Sequence, residues 1–386
     1  MLEAIGAAPG SVSEIDWHQV WRQSPEYRGV QTELAWLRSE EGLPQPSGEQ
    51  GSSEMQQEFA ASFLQQFALV TKRVLEQSWR TPSYIYSKLG LVITANLFIG
   101  LVFLNAPLTI RGLQNQMFAI FELMSIVGQL ADQQMPSFVA QRAMYEVRER
   151  PAKTYSWSVF MLSQIVADLP WATVSSVFAW VLIYYPVGFY KNADAAGQGT
   201  ERGVLMWLLF WQLMIWISTF SHLCISFVDT TEMGGNLANF LFVFVFFFCG
   251  VMAPPSQLPS VWHFIYRASP LSYFVSAVLS TGTANVDVTC ASNEYTVIDP
   301  PAGQTCGEYM AEHIAAAGGY LLDAEATSNC SYCKIKDTNV FLSAVGAEYE
   351  HRWRNFGIVW VHIIFNIVAA IGLYWLVRMP KGTRRA

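Results

Sequence analysis

The segment SWSVFMLSQIVADLPWATVSSVFAWVLIYY, residues 156–185, holds one acidic or basic side chain, Asp168, in thirty positions. As an α-helix it would run about 45 Å, more than the roughly 30 Å of bilayer hydrocarbon. A helix apolar on every side cannot sit on the surface of a water-soluble domain, so the segment reads as crossing a membrane. Pro170 predicts a kink within it. Outward from this stretch, five more apolar segments reach or approach spanning length: 84–104, 116–135, 204–222, 237–253 and 356–377. Val261 to Leu279 is apolar too, but Pro259 and Pro270 break it and it holds His263 and Arg267. It reads as a re-entrant or interfacial piece rather than a seventh span. The composition agrees: 52% of the 386 residues are hydrophobic and 14% are charged, against about 25% charged in an ordinary soluble domain.

The N-terminal part differs. Residues 1–53 are soluble in character, with a short helix expected from Asp16 to Leu37 and a flexible linker at GLPQPSGEQGSS (42–53). Met1–Gly10 lacks a charged region followed by an apolar run, so no signal peptide is expected and the first span directs insertion. From 54 to 80, Met55, Phe59, Phe63, Phe67, Val70 and Val74 recur at steps of three or four. That spacing predicts an amphipathic connecting helix, lying on the cytoplasmic membrane surface or packed on a soluble partner.

Orientation follows from Lys and Arg in short flanking loops. Lys72, Arg73, Arg80 and Lys88 precede the first span, and Arg142, Arg148, Arg150 and Lys153 lie between the second and third. Arg378, Lys381, Arg384 and Arg385 follow the sixth, so both termini are expected in the cytoplasm and residues 281–350 outside. That external segment carries ten acidic residues against Lys334 and Lys336. The net charge of −7 is therefore a local property, and nothing is basic enough for nucleic acid.

Four of the six cysteines, Cys290, Cys306, Cys330 and Cys333, fall in the same external segment. In an oxidising compartment they suggest two disulfides, with three connectivities open. Zinc or free thiols would be the alternatives, and an external loop with one C-x-x-C is a poor place for zinc. Asn329-Cys330-Ser331 matches the glycosylation sequon, although a disulfide at its middle residue argues against occupancy.

No phosphate-binding G-x-x-x-x-G-K-[ST] loop, H-E-x-x-H or G-x-S-x-G occurs in the chain. Ionisable residues inside spans are functional candidates because burying a charge in lipid is costly. Glu122 and Asp168 qualify, with His222 and His362 near span ends. A helix-packing hydrogen bond is the plainer role for Asp168. The fifth span crowds Phe240, Phe242, Phe244, Phe246, Phe247 and Phe248 above Asn236 and Asn239. Such a helix is either lipid-facing and packed, or the lining of a cavity for flat apolar ligands. Between the second and third spans, MYEVRERPAKTYSW (144–157) alternates charge and aromatics. It reads as a solvated loop or as a docking surface for a cytoplasmic motor.

Several of these stretches, taken in order, resemble the C-terminal transmembrane domain of pleiotropic drug resistance (PDR/CDR) transporters, the fungal full-length members of the ABC G subfamily. MLEAIGAAPG (1–10) is similar to the exit from a second nucleotide-binding domain, and DWHQVWRQSPEYRGVQ (16–31) to the linker after it. WRTPSYIYSK (79–88), YEVRERPAKTYSW (145–157), FCGVMAPPSQLP (248–259), RASPLSYF (267–274) and TNVFLSAV with HRWRNFGI (338–345 and 351–358) continue the likeness.

The resemblance implies an all-α membrane protein of ABC-2 (G-type) permease architecture with six transmembrane helices, five of them with the re-entrant piece in 81–280, the external loop domain at 281–350, and the last helix and a short tail at 351–386. It implies an exporter of hydrophobic drugs or lipids, at the plasma membrane, driven by ATP and Mg on nucleotide-binding domains that this chain lacks, so the chain itself is not expected to be an enzyme. Its expected partners are the lipid bilayer, those domains, a second transmembrane half and hydrophobic small molecules. Carried onto this sequence, substrate contact falls on Asn239, Phe242, Val243, Phe246 and Phe247, and an apolar plug on Val251 and Met252. A second-span contribution falls near Ile126 and Val127. Coupling falls on Arg142, Glu146, Arg148, Glu149 and Arg150. The family's cysteine spacing implies nested pairing, Cys290 with Cys333 and Cys306 with Cys330. The family departs from this chain in carrying two nucleotide-binding and two transmembrane domains, so the chain is expected to be a fragment, a truncation or a degenerate copy. The alternatives are a non-transporting scaffold that pairs with an intact transporter, and a membrane enzyme using Glu122, Asp168 or His222.

Overall fold

The computed structural model describes residues 15–38, 58–252 and 254–379. The chain forms two compact units, residues 1–60 and 61–386. In the first, the single helix expected from Asp16 is two: α1 (Trp17–Gln23) and α2 (Pro25–Arg38). Asp16 caps α1 by accepting from the amides of His18 and Gln19 at 3.0 and 3.2 Å. Pro25 has no amide hydrogen to continue α1, yet its fixed φ suits the first position of α2. The expected linker at 42–53 and the stretch 1–10 lie outside the described residues.

The second unit opens with α3 (Phe63–Arg80), which begins later than the expected amphipathic helix; 54–57 are outside the described residues. Gln66, Val70, Val74 and Ser78, four apart, are buried against the long helix α7 below, while Leu64 and Leu69 stay 75% and 67% exposed. Thus α3 is seated on the chain's own membrane helices and keeps an apolar face outward, as an interfacial helix would.

α4 (Pro82–Val102), α5 (Ile110–Ser125) and α6 (Val127–Met144) follow. Next come α7 (Trp157–Val187), α8 (Phe189–Ala195), α9 (Gly199–Ile225) and α10 (Thr231–Phe247). Among the described residues four helical stretches are long and apolar enough to cross a membrane: 85–102, 157–187, 199–225 and 349–378. α10 is apolar but has only 17 residues. The expected span 116–135 is a two-helix path, α5 and α6, broken at Ile126, and Glu122, Gln129, Asp132, Gln133 and Gln134 make it too polar to count with the four. α9 is the central helix, packed on α6, α7, α10 and the final helix, with most of its side chains buried. Polar side chains pin it there: Gln212 donates to the Phe356 carbonyl at 2.7 Å and Ser221 to that of Ala131 at 2.8 Å.

The segment expected to be re-entrant is a helix pair, α11 (His263–Ala268) and α12 (Pro270–Thr283), with nearly all of α12 buried. Beyond it the all-helical expectation meets an exception, a three-stranded antiparallel sheet of order β1-β3-β2: β1 (Thr296–Ile298), β2 (Tyr320–Leu321) and β3 (Cys330–Cys333). It is flanked by α13 (Cys306–Ala317) and α14 (Thr338–Ala344). The disulfides pair Cys290 with Cys333 and Cys306 with Cys330, the nesting the resemblance implied. Glu294 fastens this subdomain to the helices, accepting from the amides of Ile110 and Arg111 at 3.2 and 2.8 Å and so capping α5. The chain closes with α15 (Arg352–Arg378).

Candidate transport face and coupling node

α10 presents two faces. Phe242 is buried, and Phe246 is half-buried with its ring stacked on Phe121 at 4.5 Å. Asn239, Val243 and Phe247 lie on the open face, Val243 at 47% and Phe247 at 51% exposure. Asn239 donates to the Asp132 carboxylate at 3.0 Å, tying the middle of α10 to α6. This close approach needs Gly128: a Cβ there would lie 2.5 Å from the Asn239 side-chain oxygen. Of the five residues expected to meet substrate, the structure thus places three on the open face, one at its margin and one in the core. Ile126 and Val127, expected near the same site, are in the core; the exposed positions on that path are Phe118, Glu122, Ser125 and Gln129. At the end of α10, Val251 is half-buried and Met252 is 57% exposed.

The charged segment between α6 and α7 is not a solvated loop. Tyr145–Glu149 form a π-helical turn, and Glu149 is 5% exposed. Its carboxylate accepts from Arg73 Nη1 at 2.5 Å, Arg73 Nη2 at 3.2 Å and the Tyr155 hydroxyl at 2.5 Å, with Arg148 at 3.4 Å. Burial alone would raise the Glu149 carboxyl pKa, but these donors outweigh it and hold the group below the ordinary carboxylate range. Arg142 donates to the carbonyls of Ile225 and Asp229, both at 2.8 Å, and so holds the α9–α10 turn. Glu146 accepts from Tyr374 at 3.2 Å and faces Arg378 at 3.8 Å. Arg150 donates to the Arg378 carbonyl at 3.0 Å, and Arg378 pairs with Asp229 at 2.6 Å. All five residues expected to couple therefore fall in one node that joins α3, the α9–α10 turn and the end of α15. Sequence reading missed Arg73, Asp229 and Arg378 as members; their charge was visible, but their partners are 76 or more positions away. Tyr155 lies inside the expected docking stretch 144–157, with its partner Glu149 six positions away.

The intramembrane candidates separate. Asp168 is buried, accepts from Ser218 at 3.1 Å and lies 3.8 Å from His222. Gln134 meets both Ser218 and His222, at 3.1 and 3.2 Å. Lys88, expected among the cytoplasmic loop charges, is instead inside α4, 5% exposed and within electrostatic reach of Asp168. The set reads as interhelical glue, the plainer of the two expectations for Asp168. Glu122 is exposed and stands apart from it. His362 meets the carbonyls of Ile358 and Ala268 at 2.9 and 3.1 Å. Among the described residues no group of three or more His, Cys, Asp or Glu could hold a metal ion.

The family described as "ABC-2 type transporter" matches residues 65–281, more than half of the chain. The chain is 66% identical over 385 residues to "ABC transporter eupT" of a Phoma species, covering all of this chain and 27% of that protein. It is 60% identical over 385 residues to "ZEB2-regulated ABC transporter 1" of Gibberella zeae, covering all of this chain and 26% of the relative. With "ABC multidrug transporter A-1" of Aspergillus fumigatus it shares 50% over 390 residues, covering all of this chain and 27% of that protein. The chain therefore spans about a quarter of the length of the curated relatives it matches. With its apolar helices and this match, the chain is an integral membrane domain and belongs to the ABC-2 type transporter family.

Proposed function

We propose that this chain is the permease half of an ATP-driven exporter of hydrophobic xenobiotics or lipids. The observation that carries the reading is the open face of α10, where Val243 and Phe247 expose apolar side chains beside the Asn239 amide, which is tied to the Asp132 carboxylate. Such a surface rewards buried area over any single polar group and suits chemically varied apolar molecules. A second transmembrane half would close this face into a cavity, with Val251 and Met252 above it as the plug. The node around Glu149 is where motion of nucleotide-binding domains, loaded with ATP and Mg, would enter the helices. Because it ties α3 to α7, the α9–α10 turn and α15 at once, a push on it would reach the base of α10. The Lys and Arg bias supports cytoplasmic termini, with the disulfide-bearing subdomain outside a plasma membrane.

The test is the full-length transporter carrying Val243→Trp, assayed for efflux of several unrelated hydrophobic dyes. The reading expects the rank order of dyes to change, with individual rates moving by about fivefold or more, at unchanged protein level. An unaltered profile, or export by neither variant nor parent as a scaffold would show, overturns it.

A further inference from the structure

Beyond the transport face, the far ends of α7 and α9 border an open cavity of about 630 Å³. Its wall is aromatic: Trp180, Tyr184 and Tyr185 from α7 and Tyr190 from α8. Trp180 lies 5.6 Å from Tyr184 and 5.7 Å from Tyr185, with Tyr190 a further 5.7 Å from Tyr185. Tyr184 and Tyr185 meet at 86° and Trp180 and Tyr185 at 66°, so π faces point in several directions. Asp194 completes the wall, and its carboxylate has no ion pair or hydrogen bond among the described residues. The floor is small, with Gly197, Gly199 and Gly203. Tyr184 is 3% exposed, and its hydroxyl likewise makes no hydrogen bond among the described residues.

A second, slot-like cavity of about 170 Å³ adjoins the first and shares Trp180, Gly203 and Val204 with it. It adds Val177 and Trp207, one helical turn further from the cavity along each helix. Trp180 lies 23 residues beyond Trp157, about 35 Å along α7. That is the depth of the opposite membrane interface. An aromatic belt accounts for Trp and Tyr at this depth. It does not account for a tyrosine turned inward onto a cavity beside an unpaired carboxylate.

We propose that the paired cavities bind a phospholipid with a choline headgroup. A methylated ammonium donates no hydrogen bonds and is held by π faces and a nearby negative charge, which is what Trp180, Tyr184, Tyr185, Tyr190 and Asp194 supply. A primary ammonium could also pair with the Asp194 carboxylate, so the preference for a methylated ammonium rests on the ring faces that its methyl groups cover. The Tyr184 hydroxyl is free to donate to a phosphate or ester oxygen. The slot between Val177, Val204 and Trp207 takes the start of an acyl chain, so the occupant is a lipid rather than a free organic cation. Assignment to the outer leaflet rests on the orientation proposed above; the choline preference does not.

The experiment is native mass spectrometry of the purified full chain, titrated with dioleoyl phosphatidylcholine, phosphatidylethanolamine and phosphatidylglycerol. The parent protein is expected to retain phosphatidylcholine about fivefold or more over the other two. Tyr185→Ala and Asp194→Asn, both at exposed positions, should each remove that preference. Gly203→Leu, which fills the floor shared by both cavities, should remove bound lipid, with intact disulfides and an unchanged melting temperature reporting that the variants fold. Equal retention of all three lipids by the parent, or a preference that survives both Tyr185→Ala and Gly203→Leu, overturns the proposal. Soluble choline that binds as tightly as the diacyl lipid overturns the lipid occupant in favour of a free cation. None of these outcomes depends on dye export, so failure here leaves the permease reading separately testable.

Discussion

The Glu149 node and the open face of α10 are built on opposite principles. At the node the charged groups apart from Arg148, which reaches only its neighbour Glu149, have partners from other elements: Arg73 from α3, Tyr155 before α7, Arg378 from the end of α15. On α10, Asn239 is the one residue of the open set with a polar tie, and Val243 and Phe247 are exposed. A buried ion pair is geometrically specific and loses several kcal/mol when one partner goes. An apolar surface is tolerant, because area rather than direction determines what binds. On the function proposed above, the difference would give the two regions different jobs: one would hold position and transmit force, the other accept shapes.

The largest effect that sharpens this contrast lies within α10 itself. Phe242→Ala removes a buried ring and is expected to destabilise by about 3–5 kcal/mol, read as a lower unfolding temperature in detergent. Next is Glu149→Gln, which leaves Arg73 and Tyr155 half-satisfied and is expected to cost about 2–3 kcal/mol. Because Glu149 is held below its ordinary pKa of 4.5, its ionised form stabilises the fold above that pH. The difference in stability between parent and Glu149→Gln should be flat from about pH 8 to pH 5 and shrink as pH falls below about 4.5. A difference that instead grows in acid would mean that the node does not hold an ionised carboxylate. The smallest effect on stability belongs to Phe247→Ala, below about 0.5 kcal/mol, with the change appearing in which dyes are exported. Equal destabilisation by Phe242→Ala and Phe247→Ala would erase the distinction between the two faces.

How much of this was legible in the sequence depended on the kind of signal. The runs at 156–185 and 204–222 appear as α7 and α9 because length and apolarity alone define a spanning helix. The four external cysteines marked a stapled subdomain, though the short sheet between them was hidden: β2 is two residues long and carries no periodic pattern. Phe242 and Phe247 could not be told apart, since a helix apolar all round has no stripe to show which side faces the core. Lys88 resembles a loop charge in the sequence because Asp168, within its electrostatic reach, lies 80 positions away in a different helix. Ile126 and Val127 fall near the open face only through the family resemblance; the break between α5 and α6 buries both, and Gly128 just beyond it is as compatible with a continuous helix as with a break.

The central claim, that the node transmits and α10 receives, is tested most directly by measuring ATP hydrolysis and dye export together in the full-length transporter with Glu149→Gln. The account predicts that hydrolysis persists while export falls about tenfold or more, at normal abundance and an assay pH near 7. Export that keeps pace with hydrolysis in the variant would contradict it.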